Sequence, residues 1–149
     1  MKKSIWCIVA AMTASSMALA QDRATPGNHY LTAARIPWAR EAGAPVELGA
    51  LWGDRASGEA GTLLRTPPGF RSGLHSHTAD YWAVVVRGVW EHWVPSTGEG
   101  TGIRLESGAH WTQVKTQLHE DACVSDVPCV IFLFNKTPYV TEYPSKGAK

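Results

Sequence analysis

The stretch "GFRSGLHSHTADYWAVVVRG", residues 69–88, decides how the rest of the chain is read. His75 and His77 stand one residue apart, and the apolar run Tyr81–Val86 that follows reads as a buried strand closed by Gly88. On a strand, alternate residues share a face. The two imidazoles therefore project together, from Cα atoms roughly 6.5–7 Å apart. At that spacing they can converge on one ion, and zinc, iron, copper and nickel all accept neutral imidazole nitrogen. Two polar residues on a wet strand face would look the same, so the flanks have to decide.

Outward from this stretch the chain keeps to short strands. "VELGALWG" and "GEAGTLLRTPP" precede it, each bounded by glycine or proline. "DYWAVVVRGVWEHWV" reads as two strands broken at Gly88. The glycine-rich loop "STGEGTG", then "GIRLESG", "HWTQVKTQLHEDACV", "CVIFLFN" and "KTPYVTEY" complete the chain. No segment of the expected mature chain carries a long 3.6-residue apolar stripe. The expectation is an all-β sandwich or small barrel. Residues 21–45 read as an irregular N-terminal arm, laid across a sheet edge through Tyr30, Ile36 and Trp38, and residues 46–149 as the domain.

Residues 1–20, "MKKSIWCIVAAMTASSMALA", read as a secretory signal peptide: two lysines, a short apolar run, and a small-x-small ending at Ala18–Ala20. The run is too short to span a bilayer. Cleavage between Ala20 and Gln21 leaves twelve basic against thirteen acidic residues. A near-neutral surface gives no reason to expect nucleic acid or a membrane as partner. The expected location is secreted or periplasmic, where disulfides form. Cys123 and Cys129 flank the turn-forming "VSDVP". They are expected to face each other across a hairpin as a disulfide, the alternative being two free buried thiols.

Gly69, His75, His77 and Gly88 fall in the register of the pattern G-x5-H-x-H-x3-E-x6-G, with Tyr81 where the pattern has glutamate. A second pattern, G-x5-P-x-G-x2-H-x3-N, matches at Gly108 and His119. Val114, Thr116 and Cys123 stand at its proline, glycine and asparagine positions. Residues 46–143 thereby resemble the cupin superfamily, closest to small secreted bacterial cupins of unknown function and more loosely to ChrR-like cupins. The resemblance implies a jelly-roll β-barrel, a double-stranded β-sandwich, with a divalent transition metal in its mouth held by His75, His77 and His119.

The residues are compatible with that. In "KTQLHEDACV", Gln117, His119, Asp121 and Cys123 share one parity. His119 can then join the pair, and Asp121 can orient a ligand from behind it. Cys123, roughly 13 Å along the strand, is too far to ligate. Tyr81 is the departure, with three roles open: a phenolate ligand, a hydrogen-bond donor to substrate or oxygen, or barrel filling. Asp80 is the carboxylate beside it, though of opposite parity. Arg87 shares the parity of Tyr81 and is the best of Arg65, Arg71 and Arg87 for contacting an anion. Three neutral imidazoles favour zinc, iron, copper or nickel over manganese or magnesium, and an anionic or enolate-like ligand in the open positions.

Six tryptophans, Trp38, Trp52, Trp82, Trp90, Trp93 and Trp111, are expected to pack the barrel rather than stack on a sugar. His92 and His110 lie outside both patterns and are expected on the surface or behind the ligands. No nucleophile elbow or phosphate loop is present. The function expected is a metal-dependent enzyme, dioxygenase-like by resemblance, on a small oxygen-rich molecule. The alternatives are a non-catalytic module binding metal or a small ligand, and a metal-free jelly roll. Pairing into a homodimer through edge strands stays open.

Overall fold

The computed structural model describes residues 28–144. The signal peptide expected over residues 1–20 lies outside them, as do residues 21–27 of the arm. After a 3-10 turn at Ala33–Arg35 come ten strands: β1 (Trp38–Arg40), β2 (Glu47–Gly53), β3 (Ala60–Thr66), β4 (Ser76–His77), β5 (Tyr81–Arg87), β6 (Trp90–Trp93), β7 (His110–Gln113), β8 (Glu120–Cys123), β9 (Cys129–Asn135) and β10 (Thr141–Glu142). One antiparallel sheet runs β1-β2-β3-β9-β5-β7; the other strands pair as β10-β4 and β6-β8. An isolated bridge joins His75, just before β4, to His119, just before β8. In it the His75 and His119 N–H groups each donate to the other's carbonyl, at 3.0 and 2.9 Å. This is the expected all-β jelly roll, with open sheets. β1 pairs with β2, so part of the arm is an edge strand. Tyr30 is exposed.

Alternation explains the long strands. On β9, Cys129, Ile131, Leu133 and Asn135 are buried while the residues between them are half-covered. On β5, Tyr81, Ala83 and Val85 point inward and Trp82, Val84 and Val86 outward. These inward faces meet Trp90 of β6 and Cys123 of β8 in one core, where apolar burial is the main source of stability.

Two expectations change. The pairing of β5 with β9 shifts register between Val85 and Arg87. Such a bulge breaks the two-residue alternation, and Arg87 is exposed instead of sharing the inward face of Tyr81. The cysteines are bonded, with Cα atoms 5.8 Å apart, but not across a hairpin. β8 pairs with β6, and β9 with β3 and β5, so the disulfide ties the two layers together. By loop length it contributes about 2 kcal/mol. It is consistent with an extracellular or periplasmic location. No helix among the described residues is long and apolar enough to cross a membrane.

Gly88 turns the chain from one layer into the other with φ +87°, and a Cβ there would lie 2.8 Å from Cys129 Sγ. Thr116 sits at the glycine position of the second pattern and is the only non-glycine residue with positive φ among those described, at 62°. Its N–H donates to the His77 carbonyl at 2.8 Å. The left-handed turn there follows β7 and precedes His119, which bridges to His75.

Candidate metal centre

His75 is the residue before β4, His77 lies on β4, and His119 is the residue before β8. Their ring centroids lie 4.9, 4.3 and 5.0 Å apart. One nitrogen from each lies within 4.8 Å of the others. His75 and His77 are 5% exposed and His119 is 0% exposed. Main-chain carbonyls set two of the rings. His75 Nδ1 lies 2.9 Å from the Gly73 oxygen, and His119 Nδ1 2.9 Å from the Gln117 oxygen. A carbonyl only accepts, so each Nδ1 carries a proton and each Nε2 is the nitrogen left facing the cluster. His119 Nε2 and His77 Nδ1 are buried with no hydrogen-bond partner among the described residues.

Burial, then the neighbouring histidines, pushes His77 down to about 2. Burial carries His119 down to about 4 against the opposing pull of Asp121. Both rings are neutral near pH 7, which is the form that binds metal. Orphaned buried nitrogens in a cluster of convergent neutral imidazoles fit a borderline divalent ion.

Asp121 on β8 backs this cluster. Its Oδ1 accepts from Trp90 Nε1 at 3.0 Å and from His92 Nδ1 at 2.8 Å. Its Oδ2 lies 3.4 Å from His75 Nε2 and 3.7 Å from His119 Nε2. Burial alone would raise its carboxyl. The hydrogen bond and charge of His92, with the other histidines, outweigh that and hold it below the ordinary value. His92 is buried, and its Nε2 donates to Gln113 Oε1 at 2.8 Å. The Gln113 amide is oriented by its NH2, which donates to Val114 O, Gln117 O and Gln117 Oε1. Both His92 nitrogens are thus engaged as donors. Burial opposes its protonation, but the hydrogen bond and charge of Asp121 carry it above the ordinary value.

Tyr81 is 2% exposed, its ring edge-on to His77 with centroids 5.3 Å apart. Its oxygen accepts from Trp111 Nε1 at 3.3 Å, and burial holds the phenol well above its usual value. It is therefore a neutral hydroxyl, with its own proton left to donate. Tyr139 stacks on His77 at 4.3 Å. Arg55 lies over the Tyr139 ring at 4.6 Å. His75, His77, Tyr81, Asp121, Arg55 and Tyr139 help to line one cavity of about 60 Å³.

Asp80, Arg87 and Arg65 do not reach this cavity. Asp80 is exposed, and its Oδ1 accepts the Lys115 N–H at 2.7 Å, capping a turn. Arg87 is turned outward by the bulge. Arg65 pairs with Glu47 at 2.8 Å on the sheet. The basic residue that does line the cavity, Arg55, comes from the loop between β2 and β3 and carries no sequence signal. His92 and Gln113 were also unreadable as partners. Their roles depend on strand pairing, His92 standing opposite Asp121.

Jelly roll and histidine cluster together make a cupin fold. The chain belongs to the family described as a domain of unknown function, DUF4437, whose model matches residues 30–125. No curated protein matches it. Among solved structures it is similar to an RmlC-like cupin from Ralstonia eutropha, at 18% identity and TM-score 0.62, over 80% of this chain and 74% of that one. It is also similar to the polyketide cyclase RemF from Streptomyces resistomycificus, at 16% and 0.61, over 80% and 89%. The anti-sigma factor ChrR of Rhodobacter sphaeroides, in complex with SigE, matches at 16% and 0.55, over 70% and 51%. At these identities the likeness speaks for the fold alone.

Proposed function

We propose that this cupin holds a divalent transition metal on His75, His77 and His119 and acts as a metal-dependent enzyme on a small oxygen-rich molecule. The observation carrying this reading is a pair of buried nitrogens without a hydrogen-bond partner among the described residues, His77 Nδ1 and His119 Nε2, on rings of a convergent imidazole cluster. The ion would supply Lewis-acid polarisation or oxygen activation. Tyr81 donates its remaining hydroxyl proton to the bound molecule. Arg55 and Tyr139 form the wall that an anionic group meets. The cavity, about 60 Å³, holds a few waters' worth of atoms, so the substrate is small and water is largely excluded once it binds. That size also favours a second reading, a module that sequesters the metal without turnover.

Loading the protein with iron(II) or with zinc, and screening small hydroxy, enol and keto acids for oxygen uptake and product, separates the two. Turnover with iron alone supports the enzyme. Binding without turnover under either metal supports the module. We further propose export, with cleavage between Ala20 and Gln21; mass spectrometry of the native protein should find Gln21 at its N-terminus, and an intact leader refutes export.

A further inference from the structure

The pattern's glutamate position is occupied by Tyr81, whose oxygen is already hydrogen-bonded by Trp111. Three neutral imidazoles leave a divalent charge unbalanced, and a carboxylate is missing where the pattern has one. The two oxygens of Asp121 are treated differently by the fold. Oδ1 is anchored by Trp90 Nε1 and His92 Nδ1 at 3.0 and 2.8 Å. Among the described residues Oδ2 takes no hydrogen bond from the scaffold, and it faces His75 Nε2 and His119 Nε2 at 3.4 and 3.7 Å. The carbonyls of Gly73 and Gln117 have drawn the protons of both rings to Nδ1. One carboxylate oxygen and two ring nitrogens therefore crowd one volume. A cation placed between them would be met by all three. The separations to His75 and His119 fit, since two ligand atoms about 2.1 Å from one ion at a tetrahedral angle lie about 3.4 Å apart; Asp121 falls outside the 4.8 Å grouping of the three histidines, so its carboxylate must close toward His77 as the ion binds.

From this we propose that Asp121 Oδ2 is a direct fourth protein ligand, replacing from β8 the carboxylate that the first pattern lacks at Tyr81. The second acidic-histidine grouping, His92 with His119 and Asp121, is not a separate site, because both nitrogens of His92 are spent on Asp121 and Gln113. His92 and Trp90 act through Asp121 by fixing which oxygen points inward. A carboxylate ligand lowers the charge of a divalent centre from +2 to +1. The centre then admits harder ions such as manganese alongside iron and zinc, and holds a monoanionic ligand in preference to a dianionic one.

The inference rests on the three-histidine reading, and one experiment separates their failures. Crystals of the wild-type protein grown with manganese(II) or zinc(II) should show an anomalous peak with Asp121 Oδ2 about 2.0–2.2 Å from the ion. In solution, cobalt(II) binding should weaken at least tenfold in Asp121→Asn, with a changed visible spectrum. His92→Gln should weaken it less and leave the spectral type unchanged. An ion held by the three histidines with Oδ2 beyond 3 Å, or a cobalt spectrum unaltered in Asp121→Asn, overturns this inference alone. No ion in the wild-type protein overturns both readings.

Discussion

Acid should unfold the metal-free protein well before its carboxylates are protonated, because two histidines must stay neutral in the folded state. His119 is 0% exposed and carried down to about 4 from 6.5. Between pH 6.5 and 4 the unfolded chain takes up a proton on this residue that the folded chain refuses. Stability is then complete above 6.5 and falls with pH across that window. At 1.36 kcal/mol per pH unit, a span of about 2.5 units removes about 3 kcal/mol. His77, down to about 2, adds a similar slope through the same window and continues below it. His92 is shifted upward, so its contribution is fully present below 6.5 and gives no slope there. Asp121, held below 3.8, acts only at lower pH. Urea unfolding followed by tryptophan fluorescence, with a chelator present, measures this between pH 7 and 4.5. The expected slope is about 2 kcal/mol per unit near pH 5, and about half that in His119→Gln. A wild-type slope under about 0.5 kcal/mol per unit, or one unchanged in His119→Gln, refutes the argument.

Thr116→Gly should stabilise the protein by about 1 kcal/mol, since a β-branched residue at φ 62° carries a left-handed penalty that glycine lacks; a lower melting temperature contradicts this. Gly88→Ala should cost at least about 2 kcal/mol, combining φ +87° with a Cβ 2.8 Å from Cys129 Sγ. Denaturant midpoints would show it, and a neutral outcome would mean the corner relaxes freely. Tyr81→Phe should keep metal content and lower turnover; lost metal would make the tyrosine a ligand, and no change in either would make it filling.

What could be read from the sequence follows from how local each signal is. The alternation of His75 and His77, and the inward face shared by His119, Asp121 and Cys123, are properties of single strands and survive in the fold. The motif spacing located His119 although the proline, glycine and asparagine beside it are replaced. Thr116 explains why that replacement is tolerated: it takes the left-handed conformation the glycine would have taken. Arg87 leaves the inward face because a bulge is fixed by the partner strand, not by the run that contains it. The cysteine pair was readable from spacing and compartment, but its place between two layers was not. A five-residue loop looks alike whether it closes a hairpin or turns a corner. His92, Gln113 and Arg55 became visible only once β6 had met β8 and the β2–β3 loop had reached the cavity.

The most direct test of the central claim is metal stoichiometry, measured by mass spectrometry on protein recovered from its native compartment and on protein reloaded after chelation. One divalent ion per chain is expected in the wild type, and less than a tenth of that in His77→Ala and in His119→Ala, with both variants still folded by circular dichroism. Full occupancy in either variant, or an empty wild type that takes up no ion on reloading, would contradict it.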